Sequence, residues 1–279
     1  MARSDVRLGC YEKAMPSNWT WVNKCVAAKD AGYDFIEISI DETDEKLARL
    51  DDSNFASTVL NAVKLTGMPI RTMCLSGHRK YPLGSEHPET VMRSLDIFTK
   101  AVKLAECLGI RIIQLAGYDV YYEDSSPVTR KRFLENLKKC VAIAARHGVL
   151  LGFETMETPF MDTVSKAMAV VRAVYSPYIN VYPDLGNCTN AAKLYRTELV
   201  DDLHSGQGRI VAVHIKETVV GKYREIPFGK GHVDFKNALK TCMELGVRMY
   251  VAEFWYDSTT EANDVLKSNH DFIASYFNE

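Results

Sequence analysis

The sequence predicts an α/β protein: a (β/α)₈ TIM barrel forming a single domain over residues 1–279. Three observations predict it. Short β-rich runs alternate with longer helical patterns eight times along the chain. Several helical patterns end on a glycine that leads straight into an apolar strand. The length of 279 residues suits a barrel, which takes about 250 residues in one unit.

The expected strands are residues 6–11, 35–40, 69–74, 110–116, 149–154, 179–184, 210–215 and 248–253. Between and after them the periodicity predicts helices over 18–31, 54–66, 88–108, 127–146, 162–174, 190–203, 234–245 and 260–277. Strand runs such as IRIIQLA and RIVAVHI are apolar at almost every position, as in a parallel sheet covered on both faces. The glycines in AKDAGYDF, AECLGIRI, AARHGVLL and MELGVRMY stand where a helix end takes the left-handed conformation. Eight such units favour a closed barrel over a doubly wound open sheet. No G-x-G-x-x-G follows the first strand, so a dinucleotide site has no support.

Composition narrows the functional classes. Lys plus Arg number 34 and Asp plus Glu 36, a net charge of −2, which argues against a nucleic-acid binder working by bulk positive charge. A local basic patch for a small anion remains compatible with it. No run approaches the roughly 18 apolar residues of a membrane span, and MARSDVRLGCYEKAMP lacks the apolar core of a signal peptide. A cytoplasmic protein with neither membrane nor nucleic-acid partner is expected. The seven cysteines are scattered and never form C-x-x-C, which disfavours a disulfide framework or a zinc ribbon.

The chemistry lies at the strand ends. Glu154 closes the fifth expected strand, Asp184 the sixth, and Glu253 the eighth, while His214 lies at the end of the seventh. They are 30, 30 and 39 residues apart, one βα unit at each step. Consecutive strand ends are neighbours on a barrel rim, and barrel active sites lie at that C-terminal face. Alone, each such residue is commonly a helix cap or a solvated group. Together, three carboxylates and an imidazole would repel and resist burial unless a divalent cation compensates them. This oxygen-rich set with one histidine suits Mn²⁺, Mg²⁺, Co²⁺ or Zn²⁺ and leaves the identity open.

Long stretches carry a family resemblance: GCYEKAMP, YDFIEISIDETDEKLARLD, MCLSGHRKYPLGSE, GIRIIQLAGYDVYYE, YPDLGN, IVAVHIKET and IPFGKGHVDF. In these, from Leu8 to Trp255, the chain resembles the L-ribulose-5-phosphate 3-epimerases (also called L-xylulose-5-phosphate 3-epimerases) of the xylose-isomerase-like barrels. The resemblance implies metal ligands at Glu154, Asp184, His214 and Glu253. It further implies an isomerase that inverts C3 of a phosphorylated ketose through a cis-enediolate, in ascorbate or pentose catabolism. Glu154 and Glu253 would be the acid/base pair on opposite faces of that intermediate, and the assembly a homodimer. Relatives acting on free ketoses carry a His three residues after the aspartate ligand and an Arg six after the histidine ligand. Asn187 and Val220 stand there instead, which favours a phosphorylated substrate over the alternatives, a free-ketose 3-epimerase or an aldose–ketose isomerase.

The phosphate needs cations or backbone N–H groups. Lys216, Lys222, Arg224 and Lys230 follow the seventh strand, with Gly229 and Gly231 open to close approach. Ser258, Thr259 and Thr260 precede the last helix, a place barrels often use for phosphate. His78, Arg79 and Lys80 follow the third strand. Gln114, Asn187 and Glu12 are further candidates to line the pocket, and Glu157 is expected to be a supporting loop carboxylate.

Overall fold

Residues 5–277 are described by the structure, a computed structural model. Eight parallel strands form the barrel: β1 (Arg7–Tyr11), β2 (Phe35–Ile40), β3 (Ile70–Leu75), β4 (Ile112–Ala116), β5 (Leu150–Glu154), β6 (Ile179–Tyr182), β7 (Val213–Ile215) and β8 (Met249–Ala252). The ladders run in the order β6-β5-β4-β3-β2-β1-β8-β7. Single bridges, Val181 to Ile210 and Asp184 to His214, join β6 to the β7 segment and complete the ring. β7 is shorter than the expected 210–215 because the ladder breaks opposite Pro183, which has no N–H to donate.

Helices cover the outside: α1 (Trp21–Ala31), α2 (Asp44–Ala48), α3 (Phe55–Thr66), α4 (Pro88–Leu108), α5 (Pro127–Arg146), α6 (Val164–Val174), α7 (Leu185–Tyr195), α8 (Leu199–Ser205), α9 (Phe235–Glu244) and α10 (Ala262–Ser275). Gly32, Gly109, Gly148 and Gly246, which follow α1, α4, α5 and α9, take φ of 105°, 72°, 66° and 83°, as the helix–glycine–strand pattern requires. Two features depart from the sequence reading. α2 was not expected, and the helix placed over 190–203 is two helices. Asp184 caps α7 by accepting from the Asn187 N–H, so the helix starts directly after β6. Arg196 then turns left-handed at φ 56° and ends it.

Side chains alternate across each strand, so every second residue points into the ring. Tyr11, Phe35, Cys74, Ile112, Tyr182 and Val251 form the interior cluster. The opposite faces pack against the helices in a far larger core that includes Ile36, Ile38, Phe98, Phe133 and Phe153. The alternation that buries Phe35 also turns Glu37 and Ser39 inward, and the one that buries Tyr182 turns Asp184 inward. Polar groups therefore gather at one end of an otherwise apolar barrel.

Candidate active site

Glu154, Asp184, His214 and Glu253 come together at the C-terminal end of the ring. All four are buried, and one ligand atom from each lies within 4.8 Å of the others. His214 Nδ1 is 3.1 Å from Glu154 Oε1 and 3.2 Å from Glu253 Oε2. His214 Nε2 faces the other way, 2.6 Å from Glu37 Oε1. Gln114 donates its amide to Glu154 Oε2. Lys216 places its ammonium 2.9 Å from Asp184 Oδ2 and 3.4 Å from Glu253 Oε2.

These charges set one another. Burial raises the pKa of the Asp184 and Glu154 carboxyls, and the Glu253 charge adds to it. At Glu253 burial is outweighed by Lys216 and His214, and its carboxyl is held low. Burial alone would strip the proton from His214, but Glu37 and Glu253 hold it on. Lys216 likewise stays charged because Asp184 and Glu253 overcome its burial. Asp184 Oδ2 and Glu253 Oε2 are buried and accept no hydrogen bond of good geometry despite the nearby lysine. Three buried carboxylates and an imidazole whose ligand atoms converge in this way fit a divalent cation.

Above this cluster opens a cavity of about 190 Å³, lined in part by Tyr11, Lys13, Arg79, Arg224 and Trp255 and floored by Glu154, Lys216 and Glu253. Residues following β1, β3, β5, β7 and β8 line it, and the β4 loop packs against Arg79. The Arg79 guanidinium lies over the rings of Tyr118 and Tyr121, 5.9 and 5.0 Å from their centroids. Glu157 accepts from both tyrosine hydroxyls at 3.1 and 3.2 Å and pairs with Arg224 at 3.1 Å. Burial opposes the charge of Glu157, but Arg224 and Arg79 hold its carboxyl below the usual range.

Of the expected phosphate residues, the structure brings Arg79, Lys216 and Arg224 to this cavity and leaves the others away from it. His78 is buried, 3.2 Å from the Ser94 carbonyl and stacked on Phe98. Burial lowers its pKa to about 4, so it adds no charge at neutral pH. Lys222 and Lys230 are exposed on the β7 loop, and Lys80 is exposed beside Asp44. The N–H of Gly229 is already taken by the buried Glu217, which also accepts from Thr218 and Val233. The anion nest expected there thus holds the protein's own carboxylate. Ser258, Thr259 and Thr260 lie on the surface ahead of α10. Asn187 is buried; its N–H donates to Asp184 Oδ1 and its side-chain amide to the Thr155 carbonyl. Gln114 is committed to Glu154. Glu12 does not line the cavity; it is buried under Lys24, Lys46 and Arg49.

The xylose isomerase-like TIM barrel family matches residues 25–276. Over 271 residues the chain is 41% identical to L-ribulose-5-phosphate 3-epimerase UlaE of Shigella sonnei (strain Ss046), covering 96% of this chain and 94% of the relative. The chain belongs to the L-ribulose-5-phosphate 3-epimerase family. Solved structures share its fold at lower identity. The 3-keto-D-glucoside 4-epimerase YcjR from E. coli superposes with a TM-score of 0.76 at 20% identity, covering 97% of this chain and 98% of its own. An L-ribulose 3-epimerase superposes with a TM-score of 0.77 at 17% identity, covering 98% and 94%. Among the described residues no helix is long and apolar enough to cross a membrane.

Proposed function

We propose that this protein is a metal-dependent 3-epimerase that interconverts L-xylulose 5-phosphate and L-ribulose 5-phosphate. The observation that carries the reading is the pair of buried carboxylates, Glu154 and Glu253, converging on His214 Nδ1 at the floor of the cavity. Membership in the epimerase family supports it. Glu154, Asp184, His214 and Glu253 would hold a divalent cation, Mn²⁺, Mg²⁺, Co²⁺ or Zn²⁺. Bound there, the cation supplies positive charge against the negative charge that develops when C3 of the ketose loses its proton.

Inversion needs one base on each face of the planar carbon. Glu154 on β5 and Glu253 at the end of β8 approach the centre from different sides of the ring. One takes the C3 proton and the other returns a proton from the opposite face. The reaction is reversible, so the two exchange roles with direction. Lys216, charged and buried between Asp184 and Glu253, adds a donor at the cavity floor. At the mouth, Arg79 and Arg224 provide two guanidinium groups for the phosphate, and Glu157 holds Arg224 until it arrives. Tyr11 and Trp255 offer apolar walls to the sugar carbons. The reading extends to a cytoplasmic homodimer acting in ascorbate or pentose breakdown.

The test is proton exchange. Metal-loaded protein is incubated with L-xylulose 5-phosphate in D₂O and C3 is followed by NMR. Deuterium at C3 together with L-ribulose 5-phosphate, both lost in Glu154→Gln and in Glu253→Gln, is the expected result. Deuterium at C1 with an aldose product would make the enzyme an isomerase of the aldose–ketose type. Turnover of the free ketose alone would remove the phosphate from the assignment.

A further inference from the structure

Glu37 is a carboxylate in the middle of β2, fully buried inside the barrel and outside the cavity lining. A charge there is costly unless paired. Its partners are specific. Oε1 lies 2.6 Å from His214 Nε2, and Oε2 accepts the Tyr182 hydroxyl at 2.8 Å. The Tyr182 ring stands against His214, with centroids 4.8 Å apart. Gly152 packs against the base of that side chain, where an added Cβ would come 2.9 Å from Tyr182 Cβ.

A histidine presents two nitrogens, and which one carries the proton decides which one is free to bind a cation. In this site the choice is made by the neighbour. Glu37 engages Nε2, so Nδ1 is the nitrogen turned towards Glu154 and Glu253. We propose that Glu37 is a positioning residue that holds His214 with Nε2 protonated and Nδ1 directed at the divalent cation, and that Tyr182 in turn fixes Glu37. A carboxylate behind a metal-binding imidazole orients the ring and raises its basicity. The inference rests on the metal-centre reading above. Glu37 touches neither the cation nor the sugar.

Two readouts test it without turnover. The first is long-range ¹H–¹⁵N correlation on ¹⁵N-histidine-labelled protein loaded with Zn²⁺. The expected result is a His214 ring protonated at Nε2, with Nδ1 shifted on metal binding; protonation at Nδ1 overturns the proposal. The second is metal affinity by chelator competition with Co²⁺, whose absorption spectrum reports the site. Glu37→Gln is expected to bind about 10- to 100-fold more weakly with an altered spectrum. Should that variant fail to fold, Tyr182→Phe removes only the hydroxyl and is expected to weaken Co²⁺ binding less than Glu37→Gln would. Wild-type affinity and spectrum in whichever variant folds overturn the proposal. A wild-type protein that binds none of the four metals ends the metal-centre reading and this role with it. Weakened binding in a protein that never epimerises the pentulose phosphate would uphold the role of Glu37 and refute only the substrate.

Discussion

The Lys216 ammonium lies 2.9 Å from Asp184 Oδ2, inside the cluster that the divalent cation would occupy. It brings positive charge to three buried carboxylates from within the chain. Replacing it, as in Lys216→Met, leaves Asp184 and Glu253 without that charge. The expected cost is about 3–5 kcal/mol in metal-free protein, the range for breaking a buried pair. A cation that binds the folded state restores part of it. Thermal melts with and without Mn²⁺ should therefore show a larger metal-induced rise in Lys216→Met than in wild type. Equal shifts would mean that Lys216 and the metal do not serve the same charges.

The proposed phosphate site draws on only part of the basic cluster that follows β3. Arg79 and Arg224 reach the lining; His78, one residue from Arg79, turns away into the core. Arg79→Ala and Arg224→Ala are each expected to raise KM for the phosphorylated ketose by about 10- to 100-fold, equivalent to roughly 1.5–3 kcal/mol for a hydrogen bond to a charged group. KM for a free ketose should move much less. His78→Asn should lower the melting temperature and leave KM near wild type. A large KM effect in His78→Asn would put the phosphate on the other side of the β3 loop.

The ring and the ligand cluster were legible because both follow from periodicity. Strand ends one βα unit apart must be neighbours on the rim, and that alone brings Glu154, Asp184, His214 and Glu253 together. Glu37 was missed although it carries a signal. FIEISI is buried along its whole length and apolar apart from Glu37 and Ser39, and a glutamate at its third position needs a buried partner. The β7 loop was legible only in part, for a different reason. Its lysines and glycines suggest an anion site, but the sequence does not reveal that Glu217 folds back onto Gly229 and Val233. Loop closure of that kind depends on tertiary contacts rather than on spacing.

Glu217 shapes that loop from inside, and Gly231 packs so closely on it that an added Cβ would collide with the Glu217 carboxylate and the Thr218 carbonyl. The Thr218 contact is to backbone and cannot swing aside. Gly231→Ala is expected to destabilise the protein by about 1–3 kcal/mol, as overpacking of a filled site does. Arg224 lies on the same loop, so KM for the phosphorylated ketose should rise as well. Urea denaturation and steady-state kinetics on one preparation would check both. Unchanged stability would mean that the loop relaxes freely around the methyl group.

Glu12 gives the fold a dependence on acid. Its buried carboxylate accepts from Arg49 at 2.8 Å through both oxygens, from Lys46 at 2.6 Å, from Lys24 at 3.1 Å and from the Ser39 N–H at 2.9 Å. Burial opposes the charge, but Arg49, Lys46 and Lys24 outweigh it and hold the carboxyl far below its ordinary 4.5. A pKa depressed on folding contributes stability that is complete above the unfolded value and is lost as pH falls below it. The window therefore opens at about pH 4.5 and extends downward. Glu12→Gln should be about 3–5 kcal/mol less stable than wild type near neutrality, because three cations lose a buried partner. As wild type surrenders the linkage, that gap should narrow by about 2 kcal/mol by roughly pH 3. Urea midpoints for both proteins across this range decide the matter, since a gap that stays constant into acid would place the acid sensitivity of the fold in other carboxylates.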